Sequence, residues 1–234
     1  MTGVAPKAPP RSDAPELAAI DDRFVVARTE LAMPWGPCVV SHPRNADDLI
    51  SEADYVRDER LPYWADLWPS AIALARSVAA LAPEPRRTLE LGCGIGLVTI
   101  AAMHAGHDVT ATDYYTDALL FTRRNAVASC GREPATRMAD WRAWPADLRT
   151  FDLVLASDVL YERPYAAILA DVLSQCLAPG GTALVADPGR VAVEEFVDAV
   201  KSRGMAAGVR LQVPHEDGAI RQVITIHEIR KPGQ

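Results

Sequence analysis

The sequence lacks the features that mark metal-binding, disulfide-stapled and membrane-spanning proteins. Its four cysteines (Cys38, Cys93, Cys130 and Cys176) are scattered without a CxxC pair, and its five histidines form no HxxxH pattern. Neither a disulfide framework nor a metal site is therefore expected, and scattered thiols fit the reducing cytoplasm. No apolar run approaches the roughly 18 residues that a membrane helix needs, and the N-terminal residues contain no apolar signal-peptide segment. We expect a cytoplasmic chain that does not enter a membrane.

Basic residues are outnumbered as well. The chain has 31 acidic residues against 24 lysines and arginines, for a net charge of -7. A nucleic-acid binder usually presents a basic face, so we expect no nucleic-acid partner. The length of 234 residues, 49% of them hydrophobic, is enough for one α/β domain. Residues 1–22, rich in Pro, Ala and charge, are predicted to be a disordered leader, and residues 23–234 a single domain with an N-terminal extension over 23–68.

From residue 86 onward, apolar strands alternate with helical segments of about a dozen residues. This pattern predicts a parallel sheet with helices on both faces. The last two strands, "GVRLQVP" and "RQVITIHEI", are joined only by "HEDGAI", which is too short for a helical crossover, so they should pair antiparallel. The helix that begins at Pro164 is expected to end at the Pro-Gly-Gly turn of residues 179–181. The predicted fold is a doubly wound, Rossmann-like, seven-stranded α/β sheet, mostly parallel, with an antiparallel C-terminal hairpin. A second hairpin is expected near the N-terminus, across "AMPWGP".

A glycine loop, "LELGCGIGL", follows the first strand of this regular part. Gly92, Gly94 and Gly96 lie where a ligand can approach the backbone and the start of a helix. Neither register fits the GxGxxG dinucleotide fingerprint, and no GK[ST] of a P-loop is present. Glu90, just before the glycines, would repel a pyrophosphate and suits a cationic ligand, such as the sulfonium and amino group of S-adenosylmethionine. The alternative is a plain tight turn.

Three further strand ends carry polar or aromatic candidates. Asp113 lies about twenty residues after the glycines, where a carboxylate holds ribose hydroxyls, and Tyr114 beside it would lie against an adenine. Asp140 would accept from the adenine amine and Trp141 would offer a stacking face; the alternative is a loop acid beside a core aromatic. Asp158 ends the strand "FDLVLAS" and is either a wall of the site or a helix cap.

These motifs together carry a family resemblance. "ExGxGxG" at residues 90–96, Asp113, Asp140-Trp141 and "DVLY" at 158–161 resemble the class I seven-strand methyltransferases, and more narrowly methyltransferase family 16, a group of protein-lysine N-methyltransferases. The stretch "PYWADLWPSAIALA" at 62–75 is similar to that group's segment before the first strand. "DPGR" at 187–190 is similar to bacterial members, which include relatives of the electron-transfer-flavoprotein lysine methyltransferase and nicotinamide N-methylase-like proteins.

The resemblance, which covers roughly residues 60 to 190, implies a set of site residues. Asp158 and Tyr161 are the candidate catalytic residues on the acceptor side. The candidate residues for binding S-adenosylmethionine are Trp64, Trp68, Glu90, Gly92, Gly94, Gly96, Asp113, Tyr114, Asp140, Trp141 and Ser157. For Trp64, core packing is an equal alternative. Arg190 is expected either to recognise an acidic substrate or to start a helix, and Asp187 to form a turn.

The protonation state of the acceptor decides between two roles for Asp158, a strong base or an orienting group. A lysine acceptor has an ordinary pKa of roughly 10.4 and must lose its proton before it attacks. A neighbouring carboxylate would raise that pKa, so Asp158 is expected to orient the amine or the cofactor's amino end and not to act as a strong base. The expected function is an S-adenosylmethionine-dependent N-methyltransferase, acting as a monomer on a protein lysine. The alternatives are a methyltransferase for a nicotinamide-like or other small amine and a non-catalytic cofactor-binding module.

Overall fold

The computed structural model describes residues 15–49, 61–82, 84–218 and 220–233. Within these residues the strands form a two-stranded and a seven-stranded sheet. The strands are β1 (Val26–Met33), β2 (Gly36–Pro43), β3 (Arg87–Leu91), β4 (Asp108–Asp113), β5 (Ala135–Met138), β6 (Phe151–Ser157), β7 (Leu177–Asp187), β8 (Ala206–Asp217) and β9 (Ile220–Arg230). The helices are α1 (Pro15–Ala18), α2 (Ile20–Arg23), α3 (Pro69–Ala79), α4 (Leu97–His104), α5 (Thr116–Cys130), α6 (Pro164–Cys176) and α7 (Val193–Ser202).

The large sheet has the order β5-β4-β3-β6-β7-β9-β8. The pairs β3·β4, β3·β6, β4·β5 and β6·β7 are parallel, while β9 runs antiparallel to both β7 and β8. The predicted mostly parallel sheet with an antiparallel C-terminal hairpin is therefore confirmed. Since β3 lies between β4 and β6, the chain reverses direction across the sheet at β3, and the crevice outside such a reversal is where open α/β sheets bind ligands.

Both faces of the sheet are covered by helices, as the continuous apolar strands predict. Along β6, Leu153 and Leu155 pack with helices α3 to α5 on one face. Val154 and Ala156 pack with helices α6 and α7 on the other face. Successive side chains of a strand point to opposite faces, so burial on both sides requires an apolar residue at every position. The sheet is thus a rigid support for the loops at its edge.

One helix boundary differs from the prediction. Helix α6 ends at Cys176 and not at the Pro-Gly-Gly turn. The reason is the pairing of Leu177 with Phe151 in β6, which recruits the following residues into β7. A tertiary strand contact therefore ends the helix before its local stop signal.

The N-terminal segment is more ordered than expected. A disordered leader over residues 1–22 is wrong for residues 15–22, which lie mostly in α1 and α2 and bury Leu17 and Ile20 in the core; residues 1–14 lie outside the described part. Two ion pairs, Glu16–Arg123 and Asp21–Arg124, hold these helices against α5. The expected hairpin across "AMPWGP" is confirmed as β1 and β2, which turn between Met33 and Gly36. The division into a leader and one domain stays a prediction.

Candidate active site

A cleft opens at the carboxyl ends of the central strands. It is bordered by the glycine loop after β3, by the ends of β4 and β6 and by the segment that precedes α3. All of the predicted site residues except Gly96 line it: Trp64, Trp68, Glu90, Gly92, Gly94, Asp113, Tyr114, Asp140, Trp141, Ser157, Asp158 and Tyr161. The structure thus brings together residues that are spread over almost one hundred positions.

The glycine loop is closed tightly against its neighbours. Gly94 has φ +52°, and a Cβ on it would lie 3.0 Å from the carbonyl oxygen of Trp64. Gly96 has φ +87°, and its Cβ would lie 2.8 Å from Thr122 of α5. Gly94 therefore lets the backbone border the cleft, whereas Gly96 lets α4 begin in contact with α5. This placement of Gly96 away from the cleft differs from the expectation that it contacts a cofactor.

Glu90 is the most deeply buried acid of the cleft, with 1% of its surface exposed. The Thr99 hydroxyl donates a short hydrogen bond to Glu90 Oε2. Burial raises the pKa of Glu90 to about 8, and the nearby carboxylate of Asp113 adds to this rise. A cation bound nearby would lower that pKa again, because it favours the ionised carboxylate. Thr99 as a partner of Glu90 was not predicted from the sequence.

Asp113 links the glycine loop to the end of β4. Its Oδ2 accepts the backbone N–H of Gly94 at 3.0 Å, and its Oδ1 accepts that of Tyr115 at 3.0 Å. These bonds fix a nearly buried carboxylate at the edge of the cleft. It lies where the sequence predicts a ribose partner.

At the end of the cleft beyond β5, an unexpected arginine joins two predicted residues. Arg142 donates to Asp140 through Nε, 3.0 Å from Oδ1, and through Nη2, 2.8 Å from Oδ2. The Arg142 guanidinium also lies 5.8 Å from the ring centroid of Tyr114. Asp140 is therefore already paired with Arg142. The sequence-based prediction, in which Asp140 accepts a hydrogen bond from an adenine amine, does not include this ion pair. Trp141 packs edge-on against Tyr165, with ring centroids 5.7 Å apart.

At the opposite end, Asp158 follows β6 in a left-handed backbone conformation, φ +55°. Its side chain is 4% exposed, and its Oδ1 accepts Arg190 Nε at 2.8 Å. The sequence predicts that Arg190 either recognises an acidic substrate or starts a helix. In the structure its side chain instead forms an ion pair with Asp158. Asp187 forms the predicted turn, since its Oδ1 accepts the backbone N–H groups of Gly189 and Arg190. Burial raises the pKa of Asp187, and nearby Asp158 contributes further to that rise.

Aromatic rings form a wall beside Asp158. The Tyr161 ring lies 5.3 Å from that of Tyr63 and 5.1 Å from that of Tyr165, centroid to centroid. Trp68 donates its indole N–H to the Tyr63 carbonyl at 2.8 Å. Trp64 both borders the cleft and packs in the core, with its ring centroid 5.6 Å from that of Phe121. The sequence-based prediction missed Tyr63 and Tyr165 because their approach depends on the fold.

The ionisable side chains that line the cleft are acids and tyrosines, together with one cysteine. Six acidic side chains line it, and among the described residues no lysine, arginine or histidine does. These acids are Asp66, Glu90, Asp113, Asp140, Asp158 and Glu162. Eight aromatic side chains complete the lining: Tyr63, Trp64, Trp68, Tyr114, Tyr115, Trp141, Tyr161 and Tyr165. Carboxylates and aromatic faces both attract cations, so the cleft fits a ligand that carries positive charge.

The described segments contain neither a metal-binding cluster nor a membrane-spanning helix. No group of three or more His, Cys, Asp or Glu side chains there is arranged to hold a metal ion. None of the helices there combines the length and the apolar character needed to cross a bilayer.

Comparison with known proteins gives relatives with named activities. The chain is 34% identical to the electron transfer flavoprotein beta subunit lysine methyltransferase of Danio rerio over 139 residues, covering 57% of this chain and 53% of that protein. It is 31% identical to the protein-lysine methyltransferase METTL21E of Mus musculus over 158 residues, covering 62% of this chain and 64% of the relative. The alignments thus span between about half and two thirds of these relatives.

Solved structures agree with the fold. The N-methyltransferase NodS from Bradyrhizobium japonicum matches with a TM-score of 0.57 and 16% identity, over 80% of this chain and 95% of that one. The ribosomal protein L11 methylase from Lactobacillus delbrueckii matches with a TM-score of 0.57 and 20% identity, over 71% and 81%. Residues 63–203, which include every predicted site residue, match the lysine methyltransferase family. Because that match covers more than half of the chain, the protein belongs to the lysine methyltransferase family.

Proposed function

We propose that this protein is an S-adenosylmethionine-dependent N-methyltransferase that acts on a lysine side chain of another protein. The observation that carries the proposal is the acidic, aromatic lining of the cleft. Both the sulfonium of the cofactor and the ammonium form of the acceptor are cations, and such a lining attracts both. Family membership and the names of the relatives support the same reaction class.

The residues around the glycine loop fit this cofactor. The backbone at Gly94 borders the cleft without a side chain, and Asp113 presents a fixed carboxylate beside it. Glu90 supplies a buried acid that would ionise against a positive group. When bound, S-adenosylmethionine supplies a sulfonium methyl group, which an amine nitrogen takes by in-line displacement as the C–S electron pair leaves with sulfur.

The protein's own contribution on the acceptor side is orientation and exclusion of water. Transfer between aligned groups is accelerated mainly by proximity, so the side chains that fix the amine matter most. We propose that Asp158 orients the acceptor nitrogen and that the rings of Tyr161, Tyr63 and Trp68 border the channel. An apolar, aromatic channel also lowers the pKa of a buried amine, which helps it lose its proton.

A binding experiment tests the cofactor assignment first. Isothermal titration of the purified protein with S-adenosylmethionine and S-adenosylhomocysteine should show one site. Asp113→Asn should weaken binding of both ligands by about tenfold, because it removes a charge that we assign to the ribose hydroxyls, roughly 1.4 kcal/mol. Asp108→Asn is the matched control, since Asp108 lies at the opposite end of β4 and is exposed. Equal affinities for the two variants would contradict the assigned site.

A transfer experiment tests the acceptor. The protein is incubated with methyl-tritiated cofactor and three acceptors: purified electron transfer flavoprotein beta subunit, total protein extract and nicotinamide. Label in protein, mapped to lysine by mass spectrometry, supports the proposal. Label only in nicotinamide or another small amine selects the small-molecule alternative, and binding without any transfer selects a non-catalytic cofactor-binding module.

Cellular setting and assembly are part of the proposal. The net charge of -7 supports a chain that does not bind nucleic acid, and its four free thiols support a cytoplasmic location. We propose that the protein works as a monomer. Light scattering of the purified protein checks the monomer, and salt-dependent retention on immobilised RNA or DNA would contradict the absence of nucleic-acid binding.

A further inference from the structure

The bond between Asp158 and Arg190 joins the ends of two neighbouring strands. Asp158 follows β6, and its backbone N–H donates to the carbonyl of Ala186 in β7 at 2.9 Å. The turn after β7 is fixed by Asp187, whose Oδ1 lies 2.7 Å from the nitrogen of Gly189 and 2.6 Å from that of Arg190. The backbones on both sides of the bond are therefore held by the sheet.

The two side chains occupy different environments. Asp158 borders the cleft and is 4% exposed, whereas Arg190 is 36% exposed and does not border the cleft. The guanidinium reaches Asp158 Oδ1 and lies 5.7 Å from the ring centroid of Trp68, which also lines the cleft. Arg190 thus approaches Asp158 and Trp68 from the side of these residues that faces away from the cleft.

From this geometry we infer that Arg190 is a positioning residue of the acceptor site: it orients Asp158 and neutralises its charge, so that an incoming lysine is not held in its protonated form. The inference deepens the proposed function and rests on it.

An unpaired carboxylate beside an amine stabilises the ammonium, which is unable to attack, and raises the amine's pKa by about 1–3 units at contact distance. A carboxylate that already holds a guanidinium contributes little net field to a third group. Asp158 paired with Arg190 can therefore accept a hydrogen bond from a neutral amine without strongly favouring its protonation.

Other titratable groups face this pair and set the background against which the effect is measured. Asp187 lies on the β7 turn and interacts with both members of the pair. Tyr63 approaches Arg190 from the segment before α3. Tyr161 and Glu162 follow β6 on the cleft side. These groups remain unchanged in the variants below, so differences between profiles report on the pair.

The test is a pH profile of methyl transfer. Initial rates are measured between pH 6.5 and 10 with saturating tritiated cofactor and saturating acceptor, either purified electron transfer flavoprotein beta subunit or concentrated total protein extract. Saturation makes the profile report the amine bound in the site. In Arg190→Gln the midpoint of the rise in rate should move up by about one unit or more. The rate near pH 7.5 should fall about tenfold and recover at high pH. Arg190→Lys, which keeps the charge, should remain close to wild type.

Three more variants separate charge from structure. Arg163→Gln removes the same charge from an exposed arginine that pairs with Glu195, and its midpoint should not move. Asp158→Asn leaves Arg190 uncompensated and should move the midpoint down, which tests the inference even if Arg190→Gln does not fold. In the double variant with Arg190→Gln and Asp158→Asn, the pair of side chains again has no net charge. The midpoint of its pH profile should therefore equal that of the wild type, although the rate of transfer should be lower.

The possible failures are distinguishable. An active wild type, with Arg190→Gln slower by the same factor at every pH or unchanged, would overturn this inference and leave the proposed function standing. A wild type that transfers methyl to neither acceptor at any pH would overturn the proposed function, and the inference with it.

Discussion

Thr99 of α4 donates its hydroxyl to the carboxylate of Glu90 on β3, and both side chains are excluded from solvent. Burial outweighs this hydrogen bond, because the pKa of Glu90 is raised to about 8 from 4.5. The folded protein therefore holds a proton on Glu90 that the unfolded chain releases at a lower pH. This difference makes Glu90 a measurable contributor to the pH dependence of both stability and ligand binding.

Glu90→Gln should stabilise the protein increasingly as pH rises from about 4.5 to 8. Between these values the folded state binds more protons at residue 90 than the unfolded state, so the wild type loses stability with rising pH, by at most about 1.4 kcal/mol per unit. Glutamine has no proton to lose. Urea unfolding at pH 5, 6, 7 and 8 should give a variant-minus-wild-type difference that grows across this range. Glu194→Gln, which removes an acid from the exposed start of α7, is the matched control. A Glu90→Gln difference that stays flat would contradict the raised pKa.

Binding of S-adenosylmethionine should release protons near pH 7. A cation next to Glu90 favours the carboxylate, so binding drives off the proton that the ligand-free protein holds. Calorimetry in two buffers of different ionisation enthalpy counts the protons released, and affinity should rise with pH up to about 8. Glu90→Gln should abolish the release. S-adenosylhomocysteine, which lacks the sulfonium, locates the effect: release with both ligands assigns Glu90 to the amino end, and release with neither contradicts its role.

Site residues that lie at the end of a strand could be predicted from the sequence. Residues that join the site by pairing with such an acid could not. Glu90, Asp113 and Asp158 each end or adjoin an apolar strand, so the alternating pattern places them at one edge of the sheet. The partners Arg142 and Arg190 follow no such rule. Arg190 meets Asp158 across 32 residues, through a turn whose direction is set by Asp187.

Tertiary contacts also override local sequence signals at two places, the N-terminal segment and the end of helix α6. The composition of residues 1–22 is typical of a disordered leader. In the structure, however, Leu17 and Ile20 are buried in the core, and Asp21 forms an ion pair with Arg124. Helix α6 has its stop signal at the Pro-Gly-Gly turn, but strand pairing of Leu177 ends it earlier. In both cases the deciding contact lies far away in the chain, where composition and spacing carry no information.

Gly94→Ala should weaken cofactor binding about tenfold or more while the protein remains folded. Alanine at φ +52° costs about 1–3 kcal/mol, and its Cβ would lie 3.0 Å from the Trp64 carbonyl oxygen, so the loop that borders the cleft must move. Gly106→Ala is the matched control: it has φ +84°, with nothing within 4 Å of the added Cβ. Melting curves of the two variants should drop similarly, but only Gly94→Ala should lose affinity in titrations. Equal affinities would show that the loop does not contact the cofactor.

Replacing the ring of Tyr161 should weaken acceptor binding more than removing its hydroxyl. The ring packs between those of Tyr63 and Tyr165, and a cation–π contact with the acceptor is worth about 0.5–2 kcal/mol, or roughly a 2- to 30-fold change in affinity. Tyr161→Leu should therefore raise KM for the protein acceptor within that range, with cofactor affinity nearly unchanged. Tyr161→Phe keeps the ring and serves as the control, with KM close to wild type. If Tyr161→Phe instead loses transfer as severely as Tyr161→Leu, the hydroxyl and not the aromatic face is the functional group, and the acceptor would be held by hydrogen bonding at this position.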